Sequence, residues 1–471
     1  MTAQPQKSYS TSEHAAVFPR LSTGNPQADS ILNGGFPANS LNIIMGQPGT
    51  GKTIFAEQIL FHNANSDRSL LYLTTLSEPM SKVVSYAQRL TFFEMDKIGS
   101  RVIYEDLGAE LAENGPSVLV PRVLEAIKTL SPSVIVIDSF KAVHDLAEST
   151  VEMRRMVSEL AGVLSAYEVT TFLLGEYTQE NIGSYPEFAV ADSIVQLERN
   201  PLGARDDRYL RVLKLRGSGY REGQHAFRIT ESGLKVFPRL ITPDFESYVP
   251  RLERTSTGVD GLDELTGGGV WRGSTTLVVG PTGAGKSTMG LQFALEGIAR
   301  GEPSLFVNFQ ENPAQVMRMI RALGMEDSDL AARGFHNLYT SPVELQIDSV
   351  IIEIFNFIEQ VGVTRVVVDA VGDLMTAASD PQRLHDFLYS LVQHFVVRNV
   401  TTMLNLESTT ESVTGGDHEQ RWSYMSDNVL VLARGSDPAT DRTLRVVKTR
   451  NSSHDPVAHA IEIRADGVHV L

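Results

Sequence analysis

Cysteine is absent from this sequence of 471 residues. Its absence excludes disulfide bonds, cysteine-ligated zinc and thiol nucleophiles, and leaves the redox compartment undetermined. Long hydrophobic runs are absent too, since apolar stretches such as residues 134–137 have the length of a strand and are too short to span a bilayer. The polar N-terminal residues lack the apolar segment of a secretory signal. We therefore expect a cytoplasmic protein without a membrane partner.

Positive charge is in short supply. The 41 lysines and arginines are outnumbered by 57 aspartates and glutamates, which gives a formal net charge of −16. Such a chain as a whole is repelled by nucleic acid, which disfavours nucleic acid as a partner without excluding local contact. The hydrophobic fraction of 42% and the charged fraction of 21% are ordinary for a globular protein.

The sequence does contain an internal repeat. The segment GQPGTGKT at residues 46–53 is matched by GPTGAGKS at residues 280–287, and their lysines, Lys52 and Lys286, are 234 residues apart. Further matched segments are Ser-Thr-Gly at 22–24 and 256–258, Gly-Gly at 34–35 and 268–269, TTFLLGE at 170–176 and TTMLNLE at 401–407, and LRVLKLRG at 210–217 and LRVVKTRN at 444–451. A repeat of this length is typical of a duplicated domain. The predicted organisation is a disordered segment at 1–16, a first domain at 17–243 and a second domain at 244–471.

Hydrophobic patterning indicates the fold class. A short apolar run precedes each glycine-rich segment, at residues 41–45 and 276–279, and apolar residues with helical spacing follow it. Buried strands that alternate with helices favour an α/β fold, in which each domain has a mainly parallel sheet with helices on both faces.

Both glycine-rich segments fit the pattern G-x-x-x-x-G-K-[ST] of a phosphate-binding loop. Glycines allow successive backbone N–H groups to point at phosphate oxygens, and the start of the following helix adds a partial positive charge. The alternative, a glycine-rich turn without a ligand, is disfavoured because the pattern occurs twice in register. The predicted ATP-binding residues are Gly46, Gln47, Pro48, Gly49, Thr50, Gly51, Lys52 and Thr53 in the first copy, and Gly280, Pro281, Thr282, Gly283, Ala284, Gly285, Lys286, Ser287 and Thr288 in the second.

Each copy also offers oxygen ligands for Mg²⁺. The hydroxyls of Thr53 and Ser287 follow the lysines, and Asp138 and Asp369 each end a run of β-branched residues. A carboxylate at the carboxyl end of a buried parallel strand suits the second contact to the metal ion. An acidic helix cap is the alternative interpretation of each aspartate.

The two copies differ where a group that orients the attacking water is expected. In the second copy a strand ends before Gln310 and Glu311, whereas the first copy has Leu76 and Ser77 at these positions. The nearest acid in the first copy is Glu78, which aligns with Asn312 and is either a catalytic carboxylate or a solvated loop acid. We therefore expect two similar pockets with unequal chemistry.

These motifs, in this order in both halves, resemble those of the KaiC family. The resemblance extends over about residues 18–471 and includes a K-x-R motif that closes each half. It implies two tandem RecA-like P-loop NTPase domains in a homohexamer that holds ATP at the interfaces between subunits. It further implies that the first domain mainly hydrolyses ATP and that the second phosphorylates and dephosphorylates a Ser/Thr pair.

The resemblance assigns further residues one by one. Its catalytic pair is two adjacent glutamates, of which the first copy keeps neither and the second keeps Glu311 beside Gln310. Its K-x-R cations reach the phosphates of the neighbouring subunit, and they correspond to Lys214, Arg216, Lys448 and Arg450, which could otherwise be solvated basic residues of a hairpin. Its phosphorylated pair corresponds to Ser423 and Tyr424, with Ser426 as a nearby alternative acceptor.

Three functional hypotheses follow. The first is an ATP- and Mg²⁺-dependent ATPase with serine/threonine autokinase activity in the second domain, acting as a hexameric signalling device. The second is a catalytically weak, ATP-gated scaffold that binds a regulatory protein, motivated by Leu76, Ser77 and Gln310. The third is a RecA-like, DNA-associated ATPase, which the acidic charge disfavours.

Overall fold

The computed structural model describes residues 19–64, 68–76, 80–202, 205–325, 329–377, 381–408, 424–435 and 442–471. These residues form two compact units, which divide between Arg239 and Leu240. The predicted disordered segment at 1–16 lies outside the described residues. None of the described helices is long and apolar enough to cross a membrane.

The first unit alternates strands and helices. Its described strands are β1 (Arg20–Leu21), β2 (Phe36–Pro37), β3 (Leu41–Gly46), β4 (Leu70–Thr74), β5 (Val102–Asp106), β6 (Val134–Asp138), β7 (Thr170–Gly175), β8 (Ser193–Leu202), β9 (Arg205–Leu215), β10 (His225–Thr230) and β11 (Gly233–Phe237). Its described helices are α1 (Pro26–Ile31), α2 (Lys52–Asn63), α3 (Met80–Ala87), α4 (Gly108–Asn114), α5 (Leu119–Leu130), α6 (Phe140–Asp145), α7 (Thr150–Ala166), α8 (Gln179–Ile182) and α9 (Pro186–Val190). Short 3-10 helices cover Met95–Lys97 and Pro116–Val118.

The second unit repeats this order. Its described strands are β12 (Arg254–Thr255), β13 (Val270–Trp271), β14 (Thr275–Gly280), β15 (Ser304–Asn308), β16 (Phe335–Tyr339), β17 (Arg365–Asp369), β18 (Thr401–Glu407), β19 (Asn428–Arg434), β20 (Arg442–Thr449), β21 (Ala458–Arg464) and β22 (Gly467–Val470). Its described helices are α10 (Leu262–Leu265), α11 (Lys286–Ala299), α12 (Pro313–Ala322), α13 (Ile347–Asn356), α14 (Val371–Ala377) and α15 (Pro381–Val397), with a 3-10 helix at Pro342–Glu344 and a π-helix at Phe357–Val361.

Each unit is built on one mixed sheet. The described strands of the first sheet follow the order β11-β10-β9-β8-β3-β7-β6-β4-β5, and those of the second follow the matching order β22-β21-β20-β19-β14-β18-β17-β15-β16. The strands from β8 to β5 pair in parallel, while β9, β10 and β11 extend the sheet in antiparallel fashion. The parallel core is a consequence of the helical crossovers between successive strands.

Both faces of each sheet are buried. Along β6, Val134 and Val136 face one hydrophobic cluster, which contains Phe55 of α2. Ile135 and Ile137 face a second cluster on the opposite side, which is covered by α5 and α7. Because adjacent residues of a strand point to opposite faces, a run without polar residues is required for a strand covered on both sides. The predicted α/β class, with mainly parallel sheets and helices on both faces, is confirmed.

The repeated Ser-Thr-Gly and Asp positions have a structural role. Asp29 accepts hydrogen bonds from the Thr23 backbone N–H and hydroxyl, both at 2.7 Å, and from the Ser22 hydroxyl at 2.6 Å. Asp263 accepts the equivalent bonds from the Thr257 N–H at 2.8 Å and hydroxyl at 2.7 Å. These bonds fix the turns that lead into α1 and α10, which explains a part of the repeat without invoking catalysis.

The parallel strands bring the candidate site residues to one edge. The carboxyl ends of β3, β6, β7 and β4 meet at the same side of the first sheet, where the phosphate loop leaves β3 and Asp138 ends β6. Parallel sheets bind ligands at this edge. The strand–loop–helix arrangement predicted around both glycine-rich loops is confirmed.

Candidate nucleotide-binding sites

The loop at 46–53 joins β3 to α2. Gly51 precedes the helix with a φ of 99°, a left-handed conformation that favours glycine, and α2 begins at Lys52. The Lys52 Nζ donates hydrogen bonds of 3.0 Å to the backbone oxygens of both Gly46 and Gln47. Burial lowers the pKa of Lys52, and the nearby Glu176 and Asp138 carboxylates oppose this shift. The loop is therefore wrapped around the side chain of Lys52, a residue that is only 8% exposed.

The loop at 280–287 has the same geometry. Gly285 precedes α11 with a φ of 106°, and Lys286 begins the helix. The Lys286 Nζ donates to Gly280 O at 2.7 Å and to Pro281 O at 2.9 Å. Burial lowers the pKa of Lys286 as well, while Glu407 and Asp369 raise it. Both copies thus keep a buried cation at the start of a helix, where phosphate groups are favoured.

The first glycine of each loop is required by a close approach of backbone. A Cβ atom on Gly46 would lie 2.2 Å from the oxygen of Leu197 on the neighbouring strand β8. On Gly280 it would lie 2.7 Å from the oxygen of Leu432 on β19. No side chain fits at these distances, so the chain can turn out of the sheet here only at glycine.

The hydroxyl after each lysine contacts the strand-end aspartate. The Thr53 Oγ1 donates to Asp138 Oδ2 at 2.8 Å, and the Tyr72 hydroxyl donates to the same oxygen at 2.6 Å. Helix α6 has its N-cap at Ser139 and not at Asp138. The Asp138 carboxylate is therefore directed at the phosphate loop, which disfavours the helix-cap interpretation.

In the second unit a different partner holds the aspartate. Asn405 of β18 donates its amide to Asp369 Oδ1 at 3.0 Å. Burial raises the pKa of Asp369, and hydrogen bonds from Ser287 and Asn405 oppose that shift. Within the described ranges of the chain, no group of three or more His, Cys, Asp or Glu side chains could hold a metal ion. A metal ion here would need further oxygen ligands from a bound molecule.

A cavity opens beside each loop. The first has a volume of about 660 Å³, and its lining includes Leu76, Asp138, Lys141, Asp145 and Glu176 besides the loop. The second has a volume of about 380 Å³ and is lined by Gln310, Glu311, Asp369 and Glu407 together with its loop. Volumes of this size accommodate small-molecule ligands.

The position expected to orient water is occupied differently in the two cavities. Leu76, which is 44% exposed, offers no hydrogen-bonding side chain in the first. In the second, the Gln310 side-chain amide donates to Asp373 Oδ2 at 3.0 Å. Burial raises the pKa of Glu311, and the neighbouring Asp369 and Asp373 add to this rise. Ser77 and Glu78 lie outside the described residues.

Two lining carboxylates were missed by the motif analysis. Glu176 follows β7 and Glu407 ends β18, and each lies beside the phosphate-loop lysine of its unit. They are the last residues of the matched segments TTFLLGE and TTMLNLE. The signal was therefore an identical acid at the end of a repeated strand.

The K-x-R residues lie at the opposite end of the strands from the phosphate loop of their own unit. Lys214 and Arg216 flank Leu215, which pairs with Ser193 at the start of β8. The loop begins where Gly46 pairs with Leu197, four residues further along β8. Four residues of extended strand span roughly 13 Å. Neither cation lines the cavity of its own unit.

Backbone oxygens hold these cations in place. Lys214 Nζ donates to Phe188 O at 3.3 Å, and Arg216 Nη2 donates to Ala189 O at 3.2 Å. The second unit repeats the arrangement: Lys448 Nζ donates to Ser426 O at 2.7 Å and Arg450 Nη2 donates to Tyr424 O at 2.7 Å. The cations at the ends of β9 and β20 are thus held by the backbone of the segments that precede β8 and β19.

Of the candidate phosphate acceptors, the structure describes Ser426 and Tyr424, which differ in exposure. Ser426 is 1% exposed, so its hydroxyl cannot be reached without local opening. Tyr424 is 45% exposed, and its hydroxyl forms a hydrogen bond with His385. Ser423 lies outside the described residues.

The folds and loops together define a protein with two tandem RecA-like P-loop domains. The family model of the KaiC ATPase matches residues 21–241 and 255–471. The chain therefore belongs to the KaiC ATPase family and is an ATP-binding protein with two P-loop domains.

Circadian clock proteins match along most of the chain. The circadian clock protein KaiC2 of Synechocystis sp. is 27% identical over 463 residues, which cover 95% of this chain and 81% of that protein. The circadian clock oscillator protein KaiC of Picosynechococcus sp. is 26% identical over 449 residues, covering 91% and 84%. The KaiC protein of Thermostichus vulcanus is 26% identical over 491 residues, covering 100% and 92%.

A buried acid lies behind the first site. Glu57 of α2 is 2% exposed, and the Tyr104 hydroxyl donates to its Oε1 at 3.4 Å. Burial, together with the charge of Asp138, raises the pKa of Glu57 to about 8, while the bond from Tyr104 lowers it. The matching position of the second unit is Leu291. An acid with a raised pKa stabilises the fold while it is protonated and loses that contribution as the pH rises through its folded value.

We predict that Glu57→Gln removes a pH dependence from the first unit. In the wild type, this group should lower the free energy of unfolding by up to about 1.4 kcal/mol per pH unit as the pH rises from about 5 to 8. The neutral amide cannot titrate, so the stability difference between variant and wild type should shift in favour of the variant over this range. Chemical denaturation of both proteins at a series of pH values measures it, and parallel curves would contradict the assignment.

Proposed function

We propose that the chain hydrolyses Mg²⁺-ATP at both phosphate loops, at unequal rates, within a homohexamer. The observation that carries the proposal is the pair of loops, each with a buried lysine and a hydroxyl aligned on a strand-end aspartate. Lys52 and Lys286 would contact the terminal phosphates. The backbone N–H groups of the loops would hold the remaining phosphate oxygens.

The donor set fits Mg²⁺. Thr53 with Asp138, and Ser287 with Asp369, offer a hydroxyl and a carboxylate side by side. Mg²⁺ in nucleotide sites is held by one or two carboxylates and by the phosphates of the substrate. When bound, the ion would neutralise the charge that develops on the phosphates.

The unequal rates rest on the residues that face the terminal phosphate. The first cavity has Leu76 where the family resemblance places a glutamate, and the second has Gln310 followed by Glu311. Of these three side chains, Glu311 alone can accept a proton from water, so it is the candidate that this strand end offers for the second unit. Glu78 is the candidate that the sequence offers for the first.

The position of the K-x-R motifs supports the hexamer. Each pair lies at the sheet edge away from its own loop, so it cannot serve the nucleotide of its own unit. Cations at a subunit interface can stabilise the transition state of a neighbour's phosphoryl transfer. Lys214, Arg216, Lys448 and Arg450 would then complete the sites of an adjacent copy.

Autophosphorylation of the second unit is a further part of the proposal. Ser423 and Ser426 are its candidate acceptors, and the burial of Ser426 means that transfer to it requires opening of the segment before β19.

The second candidate function, an ATP-gated scaffold for a regulatory protein, is favoured by Leu76 and by the bond of Gln310 to Asp373. Binding of nucleic acid is disfavoured by the net charge of −16.

Substitution of each lysine tests hydrolysis. We predict that Lys52→Ala and Lys286→Ala each abolish turnover at one unit, because the ammonium that contacts the terminal phosphates is lost, and that the double variant releases no phosphate above the uncatalysed rate. Phosphate release measures this, and intact mass after the same incubation reports any phosphate transferred to the chain. A wild type that binds ATP without releasing phosphate or gaining mass would support the scaffold instead.

Mixing of variants tests the shared sites. Two variants are made in a Lys286→Ala background: one carries Lys214→Ala and Arg216→Ala, and the other carries Lys52→Ala. Each should be inactive alone, because the first lacks the K-x-R cations and the second lacks the loop lysine. After subunit exchange at equal amounts, about a quarter of the interfaces should combine an intact loop with intact cations and recover turnover. Absence of recovery in demonstrably mixed oligomers would show that the cations do not act between subunits.

A further inference from the structure

We propose that Glu176 in the first unit and Glu407 in the second supply a carboxylate that orients the water attacking the terminal phosphate of ATP. The inference rests on the proposed ATP hydrolysis. It places the catalytic carboxylate at the ends of β7 and β18, whereas the family resemblance places the catalytic glutamates after β4 and β15. Both copies carry this acid, although the first has Leu76 and the second has Gln310 where the family resemblance places the first catalytic glutamate.

The sheet places these carboxylates between the phosphate loop and the metal-site aspartate. β7 pairs in parallel with β3 on one side and with β6 on the other, so that Gly175 is the partner of Met45 and Leu174 is the partner of Asp138. Glu176 directly follows Gly175 in the sequence. Neighbouring strands are about 4.8 Å apart, which keeps the start of the loop and the aspartate one strand away on either side.

The second unit shows the same placement more directly. Glu407 is itself the parallel partner of Gly280, the first residue of the phosphate loop. The Thr282 hydroxyl of that loop donates a hydrogen bond to the Glu407 carboxylate. Asn405, two residues earlier on the same strand, donates to Asp369. The strand β18 therefore presents one side chain to the aspartate and the next outward side chain to the loop.

Glu176 is available for a ligand in a way that its neighbours are not. Of the carboxylates that line the first cavity, Asp138 accepts bonds from Thr53 and Tyr72, and Asp145 forms an ion pair with Lys141. Among the residues that the structure describes, none donates a hydrogen bond to Glu176. Its charge nevertheless acts on Lys52, whose pKa it raises. The carboxylate thus lies within electrostatic range of the group that would contact the terminal phosphates.

The reaction needs one proton acceptor. The oxygen of a water molecule forms a bond to the γ-phosphorus of ATP while the bond from that phosphorus to the β–γ bridging oxygen breaks, and the bridging oxygen leaves with ADP. The Glu176 carboxylate accepts a hydrogen bond from this water and takes up its proton. The proton then passes to the released phosphate or to solvent, which restores the carboxylate. Leu76 and Gln310 cannot take this part, because neither side chain is a base.

A turnover and binding assay tests the role of Glu176. In a Lys286→Ala parent, which leaves the first unit as the source of hydrolysis, Glu176→Gln should lower kcat by about 100-fold. The affinity for ATP, measured with a fluorescent analogue, should stay equal or become tighter, because a negative charge is removed from the neighbourhood of the phosphates. Glu180→Gln removes an exposed acid from the following helix α8 and should leave both quantities unchanged. Glu176→Asp keeps the charge and should retain part of the turnover.

The possible failures are distinguishable. An unchanged kcat in Glu176→Gln, or a loss of ATP affinity in proportion to kcat, would overturn the catalytic role while leaving the proposed hydrolysis intact. A Glu78→Gln variant that loses turnover while Glu176→Gln keeps it would assign the base to Glu78. If the parent lacks turnover, Glu407→Gln in a Lys52→Ala parent provides the equivalent test. Absence of turnover in both parents would overturn the proposed function, and the role of these glutamates with it.

Discussion

A buried ammonium group is the constraint on which each of the two sites depends. Lys52 and Lys286 are both 8% exposed, and each is held by two carbonyl oxygens of the loop that precedes it. A buried cation is costly unless it is paired, so each loop must wrap around its lysine and each sheet must bring carboxylates to the same edge. Glycines without side chains and parallel strands satisfy both requirements. The phosphates of ATP would then replace the carbonyl oxygens as partners of the lysine.

On this common frame the two copies have diverged in the residues around the aspartate. Tyr72 holds Asp138 in the first copy, where the second has Phe306, and Asn405 holds Asp369 in the second, where the first has Leu174. Besides the loop hydroxyl, each copy therefore has one further donor to its aspartate, but from a different strand. Together with the exchange of Leu76 for Gln310, this difference gives the two sites different surroundings without altering the sheet.

Much of the fold was predictable because each strand, loop and helix is indicated by residues that lie close together in the sequence. Apolar runs marked β3 and β14, and the pattern G-x-x-x-x-G-K-[ST] marked the start of α2 and α11. Contacts between distant segments were not predictable in this way. The bond from Tyr72 to Asp138 joins residues 66 positions apart, and the separation of the K-x-R motif from its own loop follows from the antiparallel pairing of β8 with β9. Glu176 and Glu407 became candidates only when their strand was seen to lie next to the loop.

The central claim is that both loops bind ATP but turn it over unequally. The most direct measurement is the nucleotide content of the protein after incubation with Mg²⁺-ATP, counted per chain and separated into ATP and ADP, for wild type, Lys52→Ala and Lys286→Ala. The account predicts two nucleotides per wild-type chain, one in each variant, and different ratios of ADP to ATP in the two variants. Equal ratios in the two variants, or a wild type with a single nucleotide per chain, would contradict it.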